Sequence, residues 1–491
     1  MKTVSLPGIG LLLGPLTFIS ILFFARPDNL SPEGVAMMAA TSWVAIWWIT
    51  EAVPIAATSL LPLVLFPLLG VMGIKDTSIA YADPMVLLYM GGFMIAVAIE
   101  KWNLHKRIAL TIISIIGIDL KRIILGFMVA TAFISMWISN TATALMMLPI
   151  GMAVVGQLGS NLAGTSITQN DIGRALMLGI AYSASIGGMA TIIGTPTNIV
   201  LVGVIKEMYG VEIGFADWMM VGVPVAVGLL LVCWLYLTKV AFSLPSIALP
   251  GGRQEINRQI NLLGSMSKEE KRVLVVFVLV SLCWMSRTFL LNRFLHAIDD
   301  TIIALTGALL LFVLPASKEN KGKLLDWKTA ENLPWGILLL FGGGLTIAAG
   351  FQVTGLAQWI GAQFVDLENI PFWVFLLVII TAVNFLTEIT SNTATASMIL
   401  PILAAVALAM GVHPYGLMVS AALAASCAFM LPVATPPNAI VFGSGYLTIP
   451  DMMKAGIWMN ILSIIILFFI TYFLLPLFWN FDMGVFPDAF R

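Results

Sequence analysis

The stretch "SNTATALMMLPI" occupies Ser139–Ile150, and "SNTATASMILPI" occupies Ser391–Ile402. Ten of the twelve positions are identical, although the copies lie 252 residues apart. Each copy begins with three polar residues inside a long apolar stretch. Capping residues followed by alanines are typical of a helix that begins at that point. The repeat therefore predicts two matching helix starts, and we expect both to face one binding site.

The composition around these copies is that of a membrane protein. The 491 residues are 60% hydrophobic and 10% charged, whereas a soluble domain carries about 25% charged residues. A net charge of −1 indicates no nucleic-acid partner. The sequence shows no Ser/His/Asp triad, metal-binding cluster or paired carboxylates. We therefore expect a protein that is not an enzyme and that uses no organic cofactor.

The apolar stretches predict the number of membrane spans. A helix needs about 20 apolar residues to cross a bilayer. By this rule we expect eleven spans, near residues 7–25, 34–50, 54–72, 84–100, 175–208, 219–242, 272–290, 301–315, 335–352, 414–445 and 455–478. Stretches 123–158 and 371–410 are about twice as long and are interrupted by Ser-Asn-Thr, so we interpret each as a re-entrant hairpin. The predicted fold is an all-α polytopic membrane protein.

The positions of Lys and Arg predict the orientation of these spans. With the N-terminus in the cytoplasm, the inner side holds 18 of the 24 basic residues. Cytoplasmic loops are normally the basic ones. The C-terminus is then outside, and the two hairpins enter from opposite sides. We expect the protein to lie in a bacterial inner membrane.

Two further polar motifs indicate an internal repeat. The polar stretch 251–272, in which Ser267 and Glu270 form a capping-box pattern, divides the chain into two halves. In each half the hairpin precedes a span with a Thr-Pro motif, "IIGTPTNIV" (Ile192–Val200) or "PVATPPNAI" (Pro432–Ile440). Proline interrupts a helix and suits the first position of the next one. Inverted-topology repeats with interrupted helices are typical of secondary transporters.

The residues of the hairpin tips predict an anion site beside cation sites. Helix N-termini attract anions, and Asn140, Thr141, Asn392 and Thr393 add side-chain donors, an arrangement that suits a dicarboxylate. Neither tip contains Lys or Arg, and a buried dianion is costly without counter-charge. Sodium ions would supply that charge. Their candidate oxygen ligands are Ser135, Ser139 and Asn140 with a carbonyl near Gly194, and Thr387, Thr390 and Asn392 with a carbonyl near Ala434.

Glu388 lies close to the second tip, whereas the first half has Met136 at the matching position. An intramembrane carboxylate is a functional candidate by default. Without a counterpart in the first half, we favour a structural hydrogen-bonding role for Glu388 over proton coupling.

Together with "WWITEAVPIAATSLLPLVLFP" (Trp47–Pro67), the paired motifs resemble the divalent anion/sodium symporter family, the INDY-type transporters, over essentially the whole chain. The Trp-Trp-x-Thr-Glu-Ala-x-Pro stretch is most similar to the sodium-coupled dicarboxylate branch. The resemblance implies a homodimer that takes up C4-dicarboxylates such as succinate, malate and fumarate with sodium. A sodium-independent dicarboxylate exchanger, or a carrier of citrate or another divalent anion on the same fold, is the alternative.

The resemblance also implies that the chain is divided into a scaffold domain and a transport domain. Residues 1–104 and 272–352 would form a fixed scaffold, and 105–242 and 353–491 a transport part that moves like an elevator, with 243–271 as a cytoplasmic linker. It implies one sodium site at Ser135, Ser139, Asn140 and Gly194, and another at Thr387, Thr390, Asn392 and Ala434. The substrate would contact Asn140, Thr141, Asn392, Thr393, Thr435 and Pro436.

Overall fold

A computed structural model describes residues 6–117, 119–159, 168–245, 250–317, 320–363 and 370–490. Helices dominate these residues, and none of them belongs to a β-strand. The helices of the first half are α1 (Leu6–Phe24), α2 (Pro32–Thr50), α3 (Ile55–Thr58), α4 (Leu61–Leu68), α5 (Ile74–Ile79), α6 (Pro84–Lys101), α7 (Leu104–Ile116), α8 (Leu120–Ser135), α9 (Asn140–Gly159), α10 (Gln169–Gly188), α11 (Pro196–Tyr209) and α12 (Phe215–Leu235).

The second half begins with a helix in the polar stretch and then repeats much of this order. Its helices are α13 (Pro250–Leu263), α14 (Lys268–Ser286), α15 (Asp300–Val313), α16 (Trp327–Ala330), α17 (Trp335–Val353), α18 (Leu356–Ala362), α19 (Phe372–Leu386), α20 (Asn392–Ala409), α21 (Pro414–Ala425), α22 (Pro436–Phe442), α23 (Ile449–Phe469) and α24 (Leu475–Trp479).

Several helices are suited to a bilayer. Among the described residues, seven helical segments are long and apolar enough to cross a membrane by length and composition. Other predicted spans are shorter in the structure. The stretch 54–72 is divided between α3 and α4, and the stretch 301–315 is the 14-residue helix α15. The chain is thus an all-helical integral membrane protein.

The predicted helix starts and breaks are confirmed. Helix α9 begins at Asn140, with four residues between it and the end of α8, and α20 begins at Asn392, with five residues between it and the end of α19. The Thr-Pro motifs restart helices as expected, because Pro196 opens α11 and Pro436 opens α22. Each proline follows a threonine in extended conformation.

The two halves meet at these breaks. Helix α9 packs against α22, and α20 packs against α11, so each tip helix contacts the restarting helix of the opposite half. The hydroxyl of Tyr182 donates to the carbonyl oxygen of Phe429 at 2.8 Å. The hydroxyls of Thr197 and Ser426 lie 2.7 Å apart. These buried contacts hold the two breaks against each other inside the molecule.

Helix α17 contains three consecutive glycines, 342–344, at a close helix contact. A Cβ added to Gly344 of α17 would lie 3.1 Å from the hydroxyl oxygen of Ser397 in α20. Helices α17 and α20 therefore pack closely because glycine occupies this position. In the first half, Gly92 of α6 faces Ile193 in the first break instead, with a Cβ-to-side-chain distance of 3.5 Å.

The polar stretch between the halves includes a helix that hydropathy does not predict. It contains α13, which packs against α7 and α9. The predicted capping box of Ser267 and Glu270 is present at the start of α14. Glu270 also pairs with Arg107, with the Nε and Oε1 atoms 2.7 Å apart. The predicted linker is thus anchored to α7 through an ion pair and a helix.

Candidate binding site at the hairpin tips

Oxygen atoms converge beside the first tip. The hydroxyl of Ser135 lies 2.6 Å from the side-chain oxygen of Asn140 and 2.7 Å from the carbonyl oxygen of Ala184. The same end of the Asn140 amide is 3.1 Å from the Ala184 carbonyl and 3.3 Å from that of Gly194. Rotating the amide would place its nitrogen among these oxygens, where it would donate hydrogen bonds. With its oxygen inward, four oxygens from Ser135, Asn140, Ala184 and Gly194 face one another, an arrangement that a cation satisfies.

This first cluster requires close backbone approach. A Cβ added to Gly188 would lie 2.6 Å from the side-chain oxygen of Asn140. One added to Gly194 would lie 2.4 Å from the carbonyl oxygen of Gly188. Both distances are too short for any larger residue, so the two glycines allow the break to fold back on the tip.

A similar cluster lies beside the second tip. The hydroxyl of Thr387 is 2.6 Å from the side-chain oxygen of Asn392 and 2.9 Å from the carbonyl oxygen of Ala425. Thr387 and Asn392 are five residues apart, as are Ser135 and Asn140. The hydroxyl has a single hydrogen to donate to two oxygens. The chemistry of the first cluster therefore recurs at the matching place in the second half.

Other predicted ligands use their side chains differently. The hydroxyl of Ser139 accepts from the amide of Ala142 at 3.2 Å, as a helix cap does. The hydroxyl of Thr390 binds the carbonyl of Leu386 at 2.9 Å and the hydroxyl of Thr395 at 2.6 Å. The carbonyl of Ser139 also accepts, from the amide of Thr143 at 3.0 Å, so both oxygens of Ser139 take part in starting α9.

The residues predicted to contact the substrate lie at helix starts. Thr141 and Thr393 occupy the first turns of α9 and α20 and are half-buried, as are Asn140 and Asn392. The hydroxyl of Thr435 accepts from the amide of Asn438 at 3.3 Å and so caps α22. Pro436 follows it and is exposed. Helix starts with free donors, and no basic residue in either tip or break, suit an anion that arrives with cations.

Two asparagines hold the breaks in shape. Asn198 donates its side-chain NH₂ to the carbonyls of Gly188, Met189 and Thr191 at 2.7–3.2 Å. Asn438 donates to those of Ala428 and Leu431, at 3.1 and 3.0 Å. In both halves the carbonyls lie ten and seven residues before the asparagine. The repeated Asn of the Thr-Pro motif therefore acts as a clamp on the unwound backbone.

Glycines on two neighbouring helices support the same breaks. A Cβ added to Gly222 of α12 would lie 2.6 Å from the carbonyl oxygen of Met189. One added to Gly456 of α23 would lie 2.3 Å from that of Phe429. Neither glycine is predictable from local sequence, because both are isolated residues in apolar helices. Their positions in the repeat could have indicated them, since each lies in the second helix after a Thr-Pro motif.

Glu388 is held entirely by hydrogen-bond donors. Its carboxylate accepts from the backbone amides of Phe429, Met430 and Leu431 at 2.7–3.1 Å. It also accepts from the side chain of Asn460 at 2.8 Å. Glu388 is 3% exposed. These contacts agree with the favoured interpretation of a structural hydrogen-bonding role.

Comparison with solved structures gives the fold. MtrF of Neisseria gonorrhoeae, described as illuminating a class of antimetabolite efflux pumps, matches with a TM-score of 0.57 and 13% identity over 96% of both chains. The YdaH transporter of Alcanivorax borkumensis matches with the same TM-score and identity over 82% of this chain and 87% of its own. At this identity the likeness concerns the fold alone.

Comparison of sequences gives the family. The model of the sodium:sulfate symporter transmembrane region matches residues 9–480. A sodium-dependent dicarboxylate transporter of Staphylococcus saprophyticus is 48% identical over 95% of this chain and 91% of its own length. Its counterpart in Staphylococcus aureus strain USA300 is 48% identical over 97% and 92%. These relatives are named as transporters, which agrees with a protein that is not an enzyme. The chain belongs to the sodium:sulfate symporter family, the divalent anion/sodium symporters that its paired motifs resemble.

Proposed function

We propose that this chain is a secondary transporter that takes up C4-dicarboxylates such as succinate, malate and fumarate together with sodium. The observation that carries the proposal is the pair of oxygen clusters, around Asn140 and Asn392, beside two helix starts that contain no basic residue. The relatives named as sodium-dependent dicarboxylate transporters, 48% identical to this chain, support the same function.

In this proposal the anion and the cations form one site. One sodium lies among Ser135, Ser139, Asn140 and Gly194, and the other among Thr387, Thr390, Asn392 and Ala434. We add the carbonyls of Ala184 and Ala425 to these proposed sets, because the hydroxyls of Ser135 and Thr387 lie 2.7 and 2.9 Å from them. The dicarboxylate binds the amides and side chains of the two tips, with contacts from Asn140, Thr141, Asn392, Thr393, Thr435 and Pro436. Sodium neutralises a dianion that the partial charges of two helix ends alone would leave largely uncompensated.

We further infer that the two halves are inverted repeats and that transport follows an elevator mechanism. The scaffold comprises 1–104 and 272–352, and the transport part comprises 105–242 and 353–491, with hairpins at 123–158 and 371–410 and the linker at 243–271. The reciprocal packing of α9 on α22 and α20 on α11 supports a transport part built from both halves. The protein acts as a homodimer in a bacterial inner membrane.

The membrane potential assists this cycle if more positive than negative charge enters. Moving one net charge inward gains about 2.3 kcal/mol per 100 mV, which corresponds to roughly fiftyfold accumulation. A cycle of two sodium ions and one dianion would carry no net charge. The dependence of uptake on potential therefore measures the number of sodium ions per dicarboxylate.

The function is tested by uptake of labelled succinate into vesicles that contain the purified protein. An inward sodium gradient is compared with an equal choline gradient. We expect uptake only with sodium. Equal uptake in both, dependent on dicarboxylate inside the vesicles, would contradict coupling and identify an exchanger. Competition by unlabelled citrate and sulfate separates the alternative substrates.

The proposed orientation has a separate test. A cysteine at each terminus, in a variant that lacks the three native cysteines, is exposed in whole cells to a maleimide that does not cross the membrane. We expect labelling at the C-terminus and none at the N-terminus until the cells are opened. The reverse pattern would invert the proposed topology, including the entry sides of both hairpins.

A further inference from the structure

The two broken helices differ in length at their breaks. We align the two halves on Asn198 and Asn438. The last residue of α10, Gly188, then corresponds to Ala428, whereas α21 ends three residues earlier, at Ala425. The second break is therefore unwound for three residues more than the first. Residues 426–431 contain no proline or glycine. Pro432 follows them, where the first half has Ile192, and it removes the bond that residue 432 would donate to the carbonyl of residue 428. It does not account for the acceptors of the amides of residues 429 and 430.

The amides of the two breaks have different acceptors. In the first half, the amide of Met189 donates to the carbonyl of Ile186 at 3.3 Å, and that of Ala190 donates to Gly187 at 3.0 Å. The corresponding amides of the second half, Phe429 and Met430, donate to Glu388 instead. The first half has Met136 in place of this carboxylate, and a methionine offers no comparable acceptor.

The acceptor has a direct consequence for the second oxygen cluster. In a continuing α-helix the amide of residue 429 would bind the carbonyl of residue 425. Because Glu388 accepts from Phe429 at 2.7 Å, the Ala425 carbonyl stays available, and the hydroxyl of Thr387 lies 2.9 Å from it. Glu388 thus leaves free an oxygen that points at Thr387 and Asn392.

The unwound segment is fixed from several directions. The side chain of Asn384 donates to the carbonyl of Cys427 at 2.9 Å. Tyr182 of the opposite half donates to Phe429, and Asn438 donates to Ala428. These groups bind the carbonyls that unwinding releases, whereas Glu388 binds the amides. The carboxylate is the acceptor that balances this set of donors.

We infer that Glu388 is a positioning residue for the second sodium site, because it keeps residues 426–431 unwound and so presents the Ala425 carbonyl to the cation. This inference rests on the proposed sodium coupling. It gives Glu388 no direct contact with sodium or substrate. It also makes the two cation sites unequal, since Asn198 and Asn438 clamp carbonyls in both breaks, whereas a carboxylate accepts from the unwound amides in the second break, and Met136 holds the matching position in the first.

The test is the sodium dependence of uptake in Glu388→Gln. Glutamine replaces one acceptor oxygen with a donor that faces backbone amides. We expect the sodium concentration for half-maximal uptake to rise roughly tenfold or more, since hydrogen bonds to charged groups contribute strongly. The KM for succinate at saturating sodium should change less than about threefold, because the tips are intact. A general folding defect would lower the maximal rate without this separation.

Two references make the outcome decisive. Glu100→Gln, at the end of α6 and outside the proposed site, serves as the matched carboxylate control and should keep the wild-type sodium dependence. Wild-type protein that needs no sodium would refute the proposed function itself. A second outcome would overturn only the role of Glu388. In that outcome the wild-type protein depends on sodium, and folded Glu388→Gln has a half-saturating sodium concentration within twofold of the wild-type value.

A milder variant covers the case in which Glu388→Gln does not fold. Asn460→Ala removes one donor to the carboxylate and leaves the three backbone amides in place. We expect a smaller rise in the half-saturating sodium concentration, roughly threefold, with an unchanged KM for succinate at saturating sodium. Folded Asn460→Ala with wild-type sodium dependence would overturn the inference in that case.

Discussion

Asn140 and Asn392 each serve two purposes. Each is the first residue of its helix, and each places its amide 2.6 Å from a hydroxyl at the end of the preceding helix. A single side chain thus links the end of one hairpin helix to the start of the next. At the same place the backbone offers free amides to an anion.

We predict that Asn140→Ala and Asn392→Ala each nearly abolish sodium-driven succinate uptake, because each loses a cation ligand and a substrate donor together. The measurement is the initial uptake rate in vesicles with equal amounts of folded protein. Asn332→Ala changes an exposed asparagine outside the tips and should leave the rate unchanged. Full activity of either tip variant would refute the site assignment.

The repeat made these residues predictable, whereas unpaired residues were not. The sequence motifs around four asparagines occur twice in the chain, which chance explains poorly. These residues are Asn140, Asn392, Asn198 and Asn438. Tyr182 and Asn460 have no matching residue in the other half. Their partners, Phe429 and Glu388, lie 247 and 72 residues away, and no local pattern joins such positions.

Each broken helix depends on a neighbouring helix that has no side chain at the contact. Gly222 faces the first break, and Gly456 faces the second. Because unwound backbone exposes polar groups, it is tolerated in a membrane protein only where other protein covers it. The glycines allow α12 and α23 to provide that cover at backbone distance.

We predict that Gly456→Ala displaces the second break and lowers both uptake and stability. The added Cβ would meet the Phe429 oxygen at 2.3 Å and the Met430 Cα at 2.4 Å. Overpacking of this kind costs about 1–3 kcal/mol. Gly228→Ala on α12 is the matched control, because nothing lies within 4 Å of its added Cβ. Thermal unfolding in detergent and initial uptake rates are measured, and equal behaviour of the two variants would contradict this role for Gly456.

The Ser-Asn-Thr and Thr-Pro motifs predicted where helices start and break, but hydropathy did not predict every helix. Stretch 54–72 is apolar enough for one span, yet Ser59 and Leu60 separate α3 from α4, and Pro62 lies in the first turn of α4. Helix α13 was missed because its residues are mostly polar, with Ile256 as a buried apolar contact. Counting apolar residues detects neither a local break nor a polar helix that lies on other protein.

The two hairpins meet the rest of the molecule differently. Both tip helices pack against the helix before the break of their own half and the restarting helix of the other half, α21 and α11 for α20 and α10 and α22 for α9. Helix α20 also packs against α18 and against α2 and α17, which belong to the proposed scaffold, whereas α9 also packs against α8 and α13. The repeated sequence predicts two matching helix starts. It does not predict this difference in packing, since the nearly identical tip sequences specify the site and not the helices that surround it.

We predict that joining α17 to α20 stops transport. In a variant without Cys233, Cys283 and Cys427, the pair Gly344→Cys and Ser397→Cys would place Cβ atoms about 3.2 Å apart, close to disulfide geometry. Oxidation should block succinate uptake, and a reducing agent should restore it, because the proposed elevator mechanism requires these helices to move past each other.

The control cross-link lies within the proposed scaffold. Gly336→Cys of α17 and Ala56→Cys of α3 also place Cβ atoms 3.2 Å apart. Oxidation of this pair should leave uptake intact. Unchanged transport by the oxidised Gly344–Ser397 pair, with the bond verified by mass spectrometry, would show that movement does not occur between α17 and α20.

The bonds between the halves also constrain how the protein is made. Thr197 finds its partner hydroxyl 229 positions further along the chain, on Ser426. Until residue 426 has been synthesised, this partner does not exist. The contact between the two breaks can therefore form only after most of the second half has been made. A truncated product that ends before Ser426 would lack it.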